Sequence, residues 1–294
     1  MILVATEDGV RNVETGEVTL AGRDVTHLVA ATGGLWALAD RHEVLHAVAP
    51  TEWQTILRVE EGGTARCLLP RAGGGLFVGT AGAHVLRRSD GGLRRLRSFD
   101  AVPGRDKWSN PASSAPDVWS LASASDSVLV SVHVGGVWRS DDEGDTWNAS
   151  LEPKTDVHQV VATGTGVVAV AAQRGFGWSR DAGRSWSWTT KGLHASYLQA
   201  VAIAGDSVFV GASSGPFSDD AAVYRADAAG GAFMRCTNGL PEWFDVNVRP
   251  HRLAAAGDHV AVAMDRDVYA SRDAGRSWKL VARGLPSIRA VVVA

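Results

Sequence analysis

The side chains best suited to chemistry in this 294-residue chain are histidines that begin apolar segments or lie in the turns between them. Imidazole changes its protonation state near neutral pH, so His158, His133 and His251 are candidates for a general acid and base. With Gln173 and Arg174, they could bind an anionic or carbonyl-bearing ligand. Three histidines could also hold a metal ion, but we predict no metal and no cofactor.

These residues lie far apart in the sequence, so a repeated fold must bring them together. The octapeptide Ser-x-Asp-x-Gly-x-Thr/Ser-Trp occurs three times, at 140–147, 179–186 and 271–278. Partial copies lie near Asp90 and around Gly230. A repeated motif indicates that one supersecondary unit has been copied along the chain.

Each octapeptide is best read as a structural turn. Asp side chains accept hydrogen bonds from nearby backbone N–H groups, Gly permits positive φ, and Trp can anchor the turn on a core. Calcium binding is the alternative, but the motif lacks the length and ligand number of a calcium loop. The predicted structural residues are Ser140, Asp142, Gly144, Trp147, Ser179, Asp181, Gly183, Trp186, Ser271, Asp273, Gly275 and Trp278.

Between the octapeptides the chain alternates short apolar runs with Gly and Asp turns. Four short antiparallel strands in each repeat of roughly 40 residues are typical of a propeller blade. The sequence therefore predicts an all-β fold, a single seven-bladed β-propeller over residues 1–294. The predicted blades are approximately 1–22 with 286–294, 25–60, 65–99, 117–150, 157–190, 197–238 and 247–283.

The two ends of the chain are predicted to share one blade. The first 22 residues supply three strands, and the segment from Ser287 to Ala294 supplies the missing innermost strand. This pairing closes the ring and leaves no open sheet edge there.

Aligning the blades places one residue of each at the start of its innermost strand. This column consists of Thr26, Arg66, Trp119, His158, Gln199, His251 and Arg289. It lies on the face opposite the octapeptides, where the channel mouth of a propeller usually binds ligands. The candidate ligand-binding residues are Arg66, Trp119, His133, His158, Gln173, Arg174, Tyr197, Gln199, His251 and Arg289.

Three loops are expected on this face. The insertions at 100–116 and 213–222 are long, and long loops in compact folds are usually functional or mobile. The segment 240–245 is expected to expose two aromatic side chains, Trp243 and Phe244.

The octapeptides resemble the Asp-box, also called the bacterial neuraminidase (BNR) repeat. Families with this repeat include sialidases, xyloglucan-active glycosidases, sortilin-type receptors, a photosystem assembly factor and uncharacterised bacterial BNR-like proteins. The resemblance implies a sialidase-like propeller with the box between third and fourth strands, and it does not imply an activity. We do not expect a sialidase, because the Phe-Arg-Ile-Pro segment of those enzymes does not occur and Tyr197 has no acidic neighbour in sequence.

Composition narrows the remaining possibilities. A net charge of −3 gives no reason to expect binding to nucleic acid or a membrane. The two cysteines have neither disulfide-framework nor zinc-site spacing, and the first residues do not resemble a signal peptide. We therefore expect a cytoplasmic monomer.

Two functions remain. The first is a propeller that binds a small polar or anionic ligand, or a protein partner, at the channel mouth. The alternative is a hydrolase or lyase acting on a carbohydrate or another small polar substrate, with His158, His133 or His251 as acid and base.

Overall fold

The structure is a computed structural model that describes residues 1–89, 92–111, 113, 115–227 and 231–294. Several positions of interest lie outside these ranges. They are Asp90 and Gly230 of the partial octapeptide copies and two residues, 112 and 114, of the first long insertion.

The described residues form 28 strands, one α-helical turn at Arg97–Asp100, and 3₁₀ turns at Ala72–Gly74 and Arg105–Lys107. In chain order the strands are β1 Ile2–Thr6, β2 Gly9–Asn12, β3 Val18–Thr19, β4 Val25–Ala31, β5 Gly34–Ala39, β6 Glu43–Ala47, β7 Trp53–Arg58, β8 Ala65–Pro70, β9 Leu76–Thr80, β10 Val85–Ser89, β11 Gly92–Arg95, β12 Val118–Ala124, β13 Ser127–Val132, β14 Gly136–Ser140, β15 Asn148–Leu151, β16 Val157–Ala162, β17 Val168–Ala172, β18 Gly175–Ser179, β19 Ser187–Thr189, β20 Tyr197–Ala204, β21 Ser207–Ser213, β22 Ala222–Asp227, β23 Met234–Arg235, β24 Leu253–Ala256, β25 His259–Met264, β26 Asp267–Ser271, β27 Lys279–Ala282 and β28 Ile288–Val293. None of the helices in the described part of the chain has the length and apolar character that a membrane crossing requires.

The strands form seven four-stranded antiparallel sheets, which we call blades 1 to 7. Blade 1 consists of β28 and β1–β3, and the following blades are β4–β7, β8–β11, β12–β15, β16–β19, β20–β23 and β24–β27. The innermost strands contact one another in ring order, including β24 with β28 and β28 with β4. The prediction of a seven-bladed β-propeller is confirmed.

The ring is closed by antiparallel pairing of β28 with β1. Ile2 pairs with Val293, and Val4 pairs with Val291. The amino terminus donates a hydrogen bond to the carbonyl oxygen of Ala294, at 2.7 Å. The last strand of the sequence therefore completes the first blade, as the strand count predicts.

Apolar side chains fill the spaces between neighbouring blades. Phe77 of blade 3, for example, packs in one cluster with Val118, Val130 and Trp138 of blade 4. A blade covered on both faces needs apolar residues on both sides of its middle strands. This requirement explains why β13, with the sequence SVLVSV, is buried at every position.

The octapeptides form three similar turns, which we call the box turns (140–147, 179–186 and 271–278). In the second, Ser179 Oγ donates to Asp181 Oδ1 at 2.7 Å and accepts from the N–H of Gly183 at 2.8 Å. Ser185 donates its N–H to Asp181 Oδ1 and its hydroxyl to Oδ2. The backbone is left-handed at both Ala182 and Gly183, so the tight turn begins one residue before the glycine.

Backbone hydrogen bonds separate the two faces of the ring. The box turns meet the turns between first and second strands, as shown by the bond from Ala182 N–H to Gly166 O. On the other face, the turns between second and third strands meet the connections between blades, as in the bond from His133 N–H to Asp117 O. We call these the box face and the site face.

Removal of residues 286–294 should eliminate the closing strand. Blade 1 would then lose every hydrogen bond between β28 and β1, and its apolar face would be uncovered. We expect aggregation, or loss of cooperative thermal unfolding by circular dichroism. Removal of Ala294 alone should preserve the transition. A truncated chain with unchanged melting would contradict the closure.

Asp142→Asn should destabilise the fold in a pH-dependent way. Hydrogen bonds from Thr146 and Ser140 lower the folded-state pKa of Asp142 to about 2, below the roughly 3.9 of an unfolded Asp. Its stabilisation is therefore present above about pH 4 and is lost as the pH falls towards about 2. We expect a melting temperature about 2–4 °C lower near neutral pH.

The comparison with wild type should be repeated across the acidic range, with Asp206→Asn, an exposed turn residue, as the control. The difference caused by Asp142→Asn should shrink as the pH falls. A difference that is the same at both ends of the range would show that the carboxylate charge is unimportant.

Candidate functional site

The aligned column of the sequence corresponds to a recurring backbone irregularity on the site face. In six blades a β-bulge interrupts the innermost strand, and the column residue is the one left unpaired. A bulge redirects the side chain of its extra residue away from the regular alternation. The bulged residues are Thr26, Arg66, Trp119, His158, Gln199 and Arg289.

The two bulged arginines are paired with acids. Arg66 lies 3.2 Å from the Asp117 carboxylate. Arg289 donates from Nε to Asp24 Oδ1 at 3.1 Å. Both guanidinium groups are therefore already partly neutralised, which weakens the case for an anionic ligand at these positions.

The central feature of the site face is a cluster of His133, Asp156 and His158, which we call the His–Asp–His cluster. Asp156 Oδ1 lies 3.2 Å from Nε2 of His133 and 3.4 Å from Nε2 of His158. His133 comes from the turn between β13 and β14 of blade 4, and the other two residues come from the start of blade 5. The interface between two blades therefore builds the cluster.

The tautomer of His158 follows from the hydrogen bond of Nδ1, the ring nitrogen that faces away from Asp156. Nδ1 lies 2.6 Å from the carbonyl oxygen of Leu198, and a carbonyl can only accept a hydrogen bond. Nδ1 must therefore carry a proton, so in the neutral ring Nε2 presents its lone pair towards Asp156. His158 is completely buried.

The Asp156 carboxylate remains ionised in this environment. Burial by itself would raise the pKa of Asp156, but the His133 and His158 rings, when they carry a proton on the nitrogen that faces the carboxylate, outweigh burial and hold the pKa below its usual range. The cluster therefore has a negative charge at its centre. A carboxylate in this position disfavours the anionic ligand that the sequence suggested.

Two aromatic side chains flank the cluster. The Trp119 ring lies 4.1 Å from that of His133 at an interplanar angle of 31°, and the Tyr197 ring lies 4.9 Å from that of His158. Gln199 Nε2 lies 3.4 Å from the Tyr197 hydroxyl oxygen. Burial raises the pKa of Tyr197, so its hydroxyl is a neutral hydrogen-bonding group near pH 7.

His251 does not join the cluster, so the structure does not assemble the three-histidine site considered from the sequence. Its backbone is left-handed, with φ of 65°, and its Nε2 lies 3.0 Å from the Trp119 carbonyl oxygen. Blades 4 and 7 lie on opposite sides of the ring, so this contact crosses the channel axis. His251 also meets the His27 ring edge-on, at 4.4 Å.

Below this crossing lies a central channel of about 380 Å³. His27, Gln159 and His251 line one end, and the walls towards the box face are mostly aliphatic, as at Leu121 and Val291. Burial lowers the pKa of both His27 and His251, so both rings are neutral near pH 7.

Gln173 and Arg174 follow the cluster in the adjacent turn, but they do not complete it as a cationic site. The Arg174 guanidinium lies 3.7 Å from the ring centroid of Trp188, on the outermost strand of blade 5. Gln173 is exposed, and its backbone N–H donates a hydrogen bond to the backbone carbonyl oxygen of Asp156. The Arg174 guanidinium therefore does not join the two imidazoles. Instead, His133 and His158 lie beside the Asp156 carboxylate.

The long insertions differ from each other. Trp108, within 100–116, is buried between Phe99 and Trp138, so this part of the first insertion is core rather than binding surface. The expectation for 240–245 is half wrong, because Phe244 is buried while Trp243 is 39% exposed. In the second insertion, Phe217 is 95% exposed.

No protein-family model matches the chain, and no curated protein matches it. Solved structures do match. A GH74 enzyme of Niastella koreensis has a TM-score of 0.61 and 13% identity, over 87% of this chain and 45% of that one. This chain thus spans about half of that enzyme's length.

For two other solved structures, the match to this chain extends over most of their length. YCF48 bound to D1 peptide has a TM-score of 0.58 and 14% identity, over 87% of this chain and 82% of that one. The H270A variant of virginiamycin B lyase from Staphylococcus aureus, described as catalytically inactive and bound to quinupristin, has a TM-score of 0.60 and 12% identity, over 84% and 80%. At these identities the similarities show the fold alone.

Trp108→Ala should destabilise the protein strongly. The ring packs against Phe99 and Trp138, and the Arg105 guanidinium lies 4.8 Å from its centroid. Truncating a buried aromatic residue costs about 3–5 kcal/mol in the free energy of unfolding. Chemical denaturation measures this loss. Phe217→Ala, in the other insertion, should change stability little, and equal effects of both variants would contradict the core position of Trp108.

Proposed function

We propose that the protein is a ligand-binding propeller of Asp-box type, and that its site is the His–Asp–His cluster with Trp119 and Tyr197. The observation that carries the proposal is the Asp156 carboxylate held between two imidazoles and bordered by two aromatic rings. Convergent polar groups beside aromatic surfaces are typical of small-molecule sites.

The chemistry of this site favours a neutral, hydroxyl-rich ligand such as a sugar. Asp156 repels anions, and the nearby cations Arg66 and Arg174 are engaged with Asp117 and Trp188. The carboxylate can accept hydrogen bonds from hydroxyl groups, and the flat faces of Trp119 and Tyr197 offer apolar contact. Of the small polar and anionic ligands expected from the sequence, we therefore propose the neutral polar class.

An enzyme is the second candidate, supported by the contact between His133 and Asp156. A carboxylate beside an imidazole can orient the ring and stabilise its charged form during proton transfer. His133 is slightly exposed, whereas His158 is completely buried. His133 is therefore the better candidate for the acid or base in carbohydrate hydrolysis or a lyase reaction.

The same fold carries different functions in other proteins. The matched structures include GH74 enzymes, a lyase and a protein bound to a peptide. The fold is therefore compatible with binding and with catalysis. A cytoplasmic location and a monomeric state stay predictions.

Sugar binding can be tested through tryptophan fluorescence. We would titrate the protein with xylose-, glucose- and galactose-based oligosaccharides and expect a saturable change with at least one of them. Trp119→Ala should abolish this response. Trp243→Ala, which removes a partly exposed tryptophan outside the cluster, should preserve it.

Two results would overturn the sugar proposal: no saturable response in the whole panel, or a response that survives in Trp119→Ala. The p-nitrophenyl glycosides of the same sugars test the second candidate. Release of p-nitrophenol by the wild type, but not by His133→Gln, would favour the enzyme.

A further inference from the structure

We propose that His133, Asp156 and His158 bind one divalent transition-metal ion of the zinc class. The proposal concerns the protein's own ligand atoms and does not depend on sugar binding. One ligand atom of each residue, a ring nitrogen of each histidine and an oxygen of Asp156, lies within 4.8 Å of the other two. They come from two neighbouring blades, so the ring itself brings them together.

The spacing of these atoms suits tetrahedral coordination. Zinc bonds to nitrogen and carboxylate oxygen are about 2.0–2.2 Å long, which places neighbouring ligand atoms about 3.3–3.6 Å apart. The two distances from Asp156 Oδ1 are 3.2 and 3.4 Å. The group as a whole spans no more than 4.8 Å, so wherever a pair of ligand atoms exceeds the tetrahedral spacing, the side chains must move closer to bind one ion.

Hydrogen bonding prepares His158 as a ligand. Its Nδ1 donates to the Leu198 carbonyl oxygen, so Nε2 of the neutral ring has a free lone pair. Histidine ligands usually use their second nitrogen in this way, because a backbone acceptor fixes both the tautomer and the ring orientation. Because this lone pair faces Asp156, the two groups repel each other unless a proton or a metal ion lies between them.

The same atoms lack directed partners within the protein. Nε2 of His158 and Oδ1 of Asp156 are both buried, and neither has a hydrogen bond of acceptable geometry among the described residues. Buried polar atoms without partners are destabilising and rare in folded proteins. A cation at the centre of the cluster would satisfy both atoms at once.

The donor set indicates the class of metal. Two imidazole nitrogens and one carboxylate oxygen suit zinc and related transition metals, whereas calcium and magnesium prefer oxygen ligands. Three protein ligands leave a fourth position free for water or another ligand. Asp156 retains 12% side-chain exposure, so this position can face the solvent on the site face.

The test measures metal binding without any sugar. The protein is stripped with EDTA, exchanged into chelator-free buffer, and titrated with ZnCl₂ by calorimetry. Co²⁺ titration, followed by visible absorption, reports the coordination geometry. We expect one equivalent of Zn²⁺ per chain and a tetrahedral Co²⁺ spectrum.

Two variants remove one ligand each, Asp156→Asn and His133→Gln. Each should weaken Zn²⁺ binding by at least about tenfold, since even residues that only support metal ligands cost about 10–100-fold. The matched control is His194→Gln. His194 lies 3.6 Å from Asp220 in another histidine–aspartate pair, but no third ligand accompanies that pair within the described residues.

Circular dichroism in EDTA should show that all three variants are folded. Absence of stoichiometric Zn²⁺ binding by the wild type would overturn the proposal and favour a proton shared between Asp156 and the imidazoles. Equal weakening by the control and the ligand variants would also overturn it, because it would indicate adsorption to surface histidines. Sugar binding without Zn²⁺ binding would separate this proposal from the preceding one.

Discussion

The pairing of β28 with β1 is the constraint on which the other structural features depend. The ring of seven blades closes through the last strand, because without it blade 1 would lack its innermost strand and leave the edge of β1 unpaired. The His–Asp–His cluster lies between blades 4 and 5, and no residue of the closing strand belongs to it.

Within the closed ring, bulges decide which side chains reach the site face. A regular innermost strand would alternate its side chains between the two adjacent interfaces. The unpaired residue in six of the blades breaks this alternation at one level, which explains why one column of the alignment contains so many polar residues. Within its described residues, blade 7 has no such bulge at its column residue, His251. There the backbone is left-handed, and the ring reaches across the channel axis to the Trp119 carbonyl oxygen.

The sequence predicts the fold well, because the three octapeptides set the register and the alternation of short strands follows from it. It predicts the site only in part. Asp156 precedes His158 by only two residues, but the contact between them involves the bulged His158, and the sequence alone does not reveal that bulge. The stacking of Arg174 on Trp188 and the burial of Trp108 depend on partners distant in sequence. His27 was missed because its neighbour Thr26 was assigned to the aligned column of this strand.

The crossing of the axis by His251 divides the interior into two unlike environments. On the site face lies a charged cluster, and beneath it the channel is mostly aliphatic and continues towards the box face. A molecule in this channel would meet the two neutral imidazoles, His27 and His251, at one end and mostly aliphatic walls elsewhere. The polar cluster and the aliphatic channel therefore differ in polarity although both lie near the axis of one ring.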